Sequence, residues 1–441
     1  MWQNLPQVHV LNEQEVARAV RRRQFLLQTA GLAGTTAAFG LTGCSTSKEV
    51  KLHLLVASYD KSIGASLGDQ WDSVVAAFEK QHDGIRIDLE RVPYNKIDKV
   101  LAQRVEEGRA PDIAQSNVFA PYAEDGRLYN MTQLFDIVTQ ADFIRTFTQA
   151  GTVDNAAYGI PFLASTPRLF YNKELFRRAR VSGAPTSWDE LRAAAQALKA
   201  IGVKTPYGLQ LGPEAAEDEA LSWMLAAGGG YTDELGEYDF LRPENPEALA
   251  WLRDELVAEG LAGADPAKLN RTDAYAQFLR GDIGMMIAHP MLMGAADQAK
   301  LPYAHAAFPK KNGGSAPPVG ISDWLMAFQR NGHRKECGAF LSYLYGGKSA
   351  RTYGGGQSAL PVTYSASDAA TGKSADRPLL PFIKQLEEAQ FAPVNMRSWP
   401  AVRGAIRTDV GQAVMKGGDP ESVLTGLDES AVKADMEAAT G

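Results

Sequence analysis

The 441-residue chain has two cysteines and six histidines. That is too few for a disulfide framework, and no Cys/His cluster has the spacing of a zinc site. It also lacks an excess of basic charge. Lys and Arg total 45 against 52 Asp and Glu, a formal charge of −7, so no broad positive field for nucleic acid is expected. No segment offers the about 18 consecutive apolar residues of a membrane-spanning helix. Enzymatic fingerprints are missing too: no G-x-S-x-G elbow, no H-E-x-x-H, no Walker-A loop and no G-x-G-x-x-G. Gly354-Gly355-Gly356 has no Lys-Ser/Thr after it and reads as a breaker. Glu106-Glu107 and Glu387-Glu388 fall in helical charge patterns and read as solvated faces. A catalytic carboxylate pair is assembled in space, so it leaves no spacing to read.

What is present is the balance of a globular protein, 45% hydrophobic and 22% charged residues, with length for two to three domains. Residues 21–44 read as an address. Arg22-Arg23, then Gln24-Phe25-Leu26-Leu27, resembles a twin-arginine export signal. A short stretch rich in Ala, Gly and Thr follows to Gly40, the core of a signal peptide. Leu41-Thr42-Gly43-Cys44 resembles a lipobox, with Cys44 as the lipidated residue and residues 44–49 as a polar tether. Removing residues 1–43, with Arg18, Arg21, Arg22 and Arg23 against Glu13 and Glu15, takes the formal charge from −7 to −9. With Cys44 acylated, Cys337 has no partner and reads as a small core hydrophobe. The expected location is the outer face of the cell membrane, held there by lipid.

Beyond the tether the chain alternates between strand and helix patterns. Residues 50–56 form an apolar run of strand length. Trp71, Val74, Val75 and Phe78 recur at helical spacing, and Ile85 to Leu89 alternates as a strand does. Residues 94–107 are amphipathic, and Pro111-Asp112-Ile113-Ala114 leads a third strand. This order predicts an α/β fold with a mainly parallel sheet and ligands beyond the carboxyl ends of its strands. Ser187 is a helix cap, and Glu190 has the spacing to complete a capping box on it. Leu191, Ala194, Ala195 and Leu198 mark that helix's buried face. Residues 309–318 read as a surface loop.

Several stretches carry a resemblance when taken in order. They are Pro111-Asp112-Ile113, Tyr158-Gly159-Ile160-Pro161-Phe162, Leu169 through Phe176, the helix start at Thr186, Phe278 through Ile287 (F-x-x-G-x-x-x-M) and Trp399-Pro400-Ala401-Val402-Arg403. Over residues 50–430 the chain resembles the family 1 extracellular solute-binding proteins of ABC transporters. The resemblance implies two α/β lobes, a hinge crossed more than once and a ligand cleft between the lobes, the periplasmic-binding-protein-like fold. Lobe one would be 50–163 plus 320–355, and lobe two 164–318 plus 357–430. It implies no enzyme activity, no cofactor and no metal, a monomer, and the permease subunits of an importer as partners.

A sugar presents hydroxyls and apolar C–H faces, so its site needs planar rings for stacking and carboxylates or amides for paired hydrogen bonds. Carried over from the family's maltose-binding members, the candidates lie at loop ends. Tyr59, Asp60 and Lys61 follow the first strand as polar sugar contacts or an exposed turn. Gln115, Ser116 and Asn117 follow the third, with Ser116 where the family has an aromatic residue. Ser165 and Thr166 sit past the first crossover, as ligand contacts or a plain linker. Met291 stands where a stacking Trp is found, and His289 beside it is a contact or structural. Trp223 is core or cleft wall. Ser322, Asp323 and Trp324 follow the second crossover, the last two as a sugar-binding pair. Trp399 matches a stacking Trp, and Arg403 one turn on reaches the ligand or salt-bridges within the lobe.

These readings point to a carbohydrate receptor for import. Glycerol phosphate or a polyamine is the alternative ligand, and a lipid-anchored glycan hydrolase the remote alternative.

Overall fold

The computed structural model describes residues 49–58, 61–347, 359–372 and 374–440, with 61–69 and 374–376 as backbone only. The signal peptide, Cys44, Tyr59, Asp60 and the glycine run at 354–356 lie outside the described residues, and Lys61 is described by its backbone alone.

The first sheet is built on β1 (Val50–Ser58), flanked in parallel by β2 (Ile85–Pro93) and β3 (Ile113–Gln115). Strand alternation gives β1 two faces. Leu52, Leu54 and Val56 enter one core cluster, while Leu55 and Ala57 enter another. The helix Lys61–Gln81 covers the first face with Trp71, Val74 and Phe78. The helix Tyr94–Glu106 covers the second with Ile97, Leu101 and Val105, four residues apart. Asp112, fully buried, fixes the entry to β3. It accepts hydrogen bonds from the His53 backbone N–H (2.8 Å) and from Asn331 Nδ2 (3.1 Å), with His333 Nδ1 at 2.9 Å. The chain continues through β4 (Leu128–Tyr129), the small hairpin of β5 (Thr152–Val153) and β6 (Ala156–Ala157), and β7 (Ile160–Ser165).

The second sheet runs in the order β11-β8-β10-β9, from β8 (Arg168–Asn172), β9 (Thr205–Tyr207), β10 (Ile283–Ala288) and β11 (Tyr303–Ala306). All six residues of β10 are buried. Met285 and Ile287 face the cluster that holds Trp188, Trp223 and Trp399, while Met286 and Ala288 face the other way. The chain then returns to the first sheet as β12 (Val319–Phe328), which pairs with β3, β4, β7 and, through Val319 and Gly320, with β13 (Gln390–Phe391). The crossings between sheets are therefore residues 166–167, 307–318 and 392–398.

Three expectations need correction. The sheets are mixed rather than mainly parallel, because β12 re-enters from the other sheet and runs antiparallel to β3, β4 and β7, and β8 is antiparallel to both neighbours. Residues 359–371 and strand β13, assigned above to lobe two, are tied to lobe one. Leu360 bridges Ala164, Thr363 bridges Phe143, and Ser365 donates to Asp142 through its N–H (2.9 Å) and hydroxyl (2.5 Å). Finally, Ser187 caps its helix as expected, accepting from Glu190 N–H at 3.2 Å, but Glu190 reaches one residue further back. Its Oε2 accepts from the N–H (2.7 Å) and the hydroxyl (2.8 Å) of Thr186.

Candidate functional site: the cleft between the sheets

The carboxyl ends of β2 and β3 and the middle of β12 meet at one place. The pairing of β12 with β7 slips between Asp323 and Trp324, and strand alternation sends these two neighbours into different surroundings. Trp324 turns into the core and packs on Phe119 at 5.3 Å between ring centres. Asp323 meets the loop after β3 instead. Gln115 Nε2 donates to Asp323 Oδ2 at 2.9 Å, and Asn117 Nδ2 lies 3.4 Å from Oδ1. Gln115 is itself held by the Ala57 N–H, which donates to its Oε1 at 3.1 Å. Burial pushes the Asp323 carboxyl up to about 7.

Tyr94, the first residue past β2, joins this group by accepting from Asn117 Nδ2 at 3.1 Å. It is 43% exposed, yet loss of solvation raises its phenol pKa. The opposite wall comes from the second lobe, since Arg271, Arg403 and Arg407 all lower the Tyr94 pKa by their charge. A direct link crosses the gap. Asp98, on the helix that starts at Tyr94, accepts from Ser116 Oγ at 2.7 Å and lies 3.5 Å from an Arg403 guanidinium nitrogen.

Behind this wall the helix Ala216–Ala227 opens with Glu217-Asp218-Glu219. Glu217 is buried and forms a two-pronged pair with Arg407, one contact at 2.8 Å. Glu219 points into the core, where Tyr207 Oη and Trp223 Nε1 both donate to its Oε1 at 3.0 Å, and burial pushes its pKa to about 7. Between them stands Asp218, pushed to about 7 by desolvation and then by Glu217, against the pull of Arg271, Arg407 and Arg403. Arg271 lies 3.5 Å from Glu214.

Ser165, at the end of β7, contacts His289 Nδ1 at 2.9 Å, and the His289 N–H donates to Tyr275 Oη at 2.8 Å. Burial, with Arg271 adding to it, drops the His289 pKa to about 3, so the ring is neutral at physiological pH. Its contacts are those of a positioning residue at the crossover. Thr166 is fully buried, and its hydroxyl has no hydrogen-bond partner among the described residues. Asn117 Oδ1 is in the same condition. Met291 is half-buried at the start of the helix Met291–Gln298.

Of the two readings of Trp223 the structure takes the core one, while burial contradicts the ligand roles given to Trp324 and Trp399. Trp223 packs among Trp188, Tyr207 and Phe308. Trp399 is 2% exposed, in the same core, with Tyr231 at 6.0 Å. With Trp324 also buried, none of the three presents an open ring face. Ser322 is buried as well, its hydroxyl donating to the Asp323 carbonyl at 2.7 Å. The polar part of the sequence reading gathers here: Gln115, Ser116, Asn117, Asp323 and Arg403. Tyr94, Asp98, Asp218, Arg271 and Arg407 were missed. Tyr94 was within reach, because the rule applied to the ends of β1 and β3 holds for β2 as well.

The family model of the bacterial extracellular solute-binding proteins matches residues 64–350. A Brucella abortus protein named only as a binding protein is 27% identical over 414 residues, covering 92% of this chain and 97% of that one. The sn-glycerol-3-phosphate-binding periplasmic protein of Escherichia coli is 26% identical over 264 residues, covering 54% of this chain and 59% of that protein. Among solved structures, the cyclic α-maltosyl-1,6-maltose binding protein of Arthrobacter globiformis superposes with a TM-score of 0.73 at 21% identity, over 89% of this chain and 100% of that one. A match spanning well over half the chain, on two sheets joined by repeated crossings, makes this protein a member of the bacterial extracellular solute-binding proteins, the exported receptors of ABC importers.

Proposed function

We propose that this receptor takes a carbohydrate, a mono- or oligosaccharide, into the cleft and delivers it to its permease without chemically changing it. The observation that supports this reading is the convergence of Asp323, Gln115, Asn117 and Tyr94 on one wall with Asp218, Arg271 and Arg403 on the other. Such a set of amides, carboxylates, guanidinium groups and one exposed phenol suits a ligand with many hydroxyls. We further propose that a lipid on Cys44 holds the monomeric receptor at the outer face of the membrane.

One observation favours a second ligand. Three arginines on one wall suit a phosphate, and a relative of this chain is a glycerol-phosphate binder. A thermal-shift screen separates the two, using neutral sugars, polyols, phosphorylated polyols and polyamines. A ligand at 100 times its Kd adds about 2.7 kcal/mol of stability. The expected result is a shift with one class of neutral sugar that Asp323→Ala abolishes. A shift with glycerol phosphate alone would discard the carbohydrate. In cells, Cys44→Ala should move the protein from the membrane fraction to the soluble one.

A further inference from the structure

The lobes meet at a second place, which shares no residue with the Asp98–Arg403 contact. The helix Leu380–Leu386 belongs to lobe one through both of its flanks. Before it, Leu360, Thr363 and Ser365 are tied to Ala164, Phe143 and Asp142. After it, β13 pairs with β12, and the Thr146 hydroxyl donates to the Leu386 carbonyl at 2.7 Å. Yet the first turn of this helix lies against lobe two. Arg168, the first residue of β8 past the 166–167 crossing, donates from Nη1 to the Pro381 carbonyl at 3.4 Å. Its guanidinium carbon stands 5.5 Å from the centre of the Phe382 ring. Phe170 and His305 approach the same ring at 6.1 and 4.7 Å between centres.

Arg168 is also held from its own side. Its Nε donates to His305 Nδ1 at 3.1 Å, so the neighbouring strand β11 aims the guanidinium at the helix. Among the described residues it closes no ion pair, and burial alone brings its pKa down to about 10. A cation withdrawn from water without an acid is a poor way to stabilise one lobe. Its partners outside lobe two lie on a single helix of the other lobe. The boundary beside this contact is open. A groove of about 460 Å³ lies between Pro378 of lobe one and Met293, Asp297, Leu301 and Tyr303 of lobe two. A fully packed boundary would fix the lobes as one body. One that is part groove lets them part by breaking a few contacts.

We propose that the helix Leu380–Leu386 is a clasp by which lobe one grips lobe two, and that Arg168 is the positioning residue that sets it. The inference goes beyond the choice of ligand and holds for any solute the cleft takes. The clasp and the Asp98–Arg403 pair are made together in this structure. Losing either contact therefore disfavours this arrangement of the lobes against every arrangement that lacks it. The same arrangement brings both cleft walls together, so the clasp biases the empty receptor towards the form that holds solute.

Small-angle scattering of the solute-free protein tests this. Arg168→Met keeps the length of the side chain and removes its charge and donors. It should raise the ratio of open to closed molecules roughly two- to five-fold, the worth of one cation–π contact and a long hydrogen bond. The radius of gyration should grow while the circular dichroism spectrum stays that of wild type. Thr146→Val cuts the other end of the clasp without touching lobe two, and should enlarge the radius as well. An Arg168 that served only to stabilise its own lobe would lower the denaturation midpoint in Arg168→Met and leave the radius alone. Should Arg168→Met not fold, Arg168→Lys takes its place, keeping the charge without the planar fork, with a smaller increase expected. A wild-type radius in the Arg168 variant or in Thr146→Val overturns the inference.

Discussion

Asp218 carries a prediction that needs no ligand. Its folded pKa of about 7 stands above the 3.8 of an ordinary aspartate. Between those values the folded chain holds a proton that the unfolded chain has given up, so this group takes stability away as pH rises through the window. His289 and His305 act in the opposite sense. Their pKa values drop to about 3 and about 4, so they add stability as pH rises towards 6.5. Wild-type curves mix these effects, and the difference between Asp218→Asn and wild type isolates the carboxylate. The variant is expected to match wild type near pH 4 and to melt higher at pH 7.5. A thermal melt series shows this, and equal melting temperatures at pH 7.5 would contradict the burial of Asp218. Sequence reading could not find this residue. Glu217-Asp218-Glu219 looks like the acidic first turn that many helices carry. Its members separate into a salt bridge, a core carboxylate and a half-buried carboxylate only when Arg407, some 190 residues away, folds against them. Gln115, Asn117 and Asp323 were legible as neighbours because they sit at a strand end or on the crossover strand, which topology brings together.

At the scale of an element, β12 connects the fold to the site. Its first residues pair with β13, its middle with β7, and its end with β3 and β4. Strand alternation lets Trp324 fill the core while Asp323, on the other face, reaches Gln115. Reading Asp323 and Trp324 together as a sugar-binding pair passed over the fact that neighbours on one strand face opposite ways. Gly320 keeps the strand's start close to Phe391, since a Cβ there would lie 2.5 Å from that ring. Phe391 in turn packs edge-on against Phe147 at 4.8 Å. Gly320→Leu should therefore push β13 off the strand and cost roughly 1–3 kcal/mol, as overpacked cores do. Denaturant unfolding measures this, and a loss below about 0.5 kcal/mol would mean that Phe391 can turn aside freely.

At the scale of the whole molecule, the two lobes touch across the cleft through Asp98 and Arg403. The helix Tyr94–Glu106 packs on the first sheet and the helix Trp399–Ala413 on the second core, so this pair resists their separation. Asp98 is also tied to the β3 loop through Ser116, and Arg403 acts on Asp218 as well. Opening the cleft would release Asp98 and leave Arg403 with Asp218 as its nearby carboxylate. Arg403 thus has an acid within range in either state, which keeps the energy gap between them small. Half-exposed ion pairs contribute about 0.2–1 kcal/mol, enough to change the ratio of closed to open molecules several-fold but not to lock the protein shut. Asp98→Ala should therefore enlarge the ligand-free protein in small-angle scattering and weaken sugar binding by up to about five-fold, the share of molecules it withdraws from the closed form. High salt should do the same to wild type and little to the variant. An unchanged radius in Asp98→Ala, with unchanged salt dependence, would show that the hinge crossings alone set the distance between the lobes.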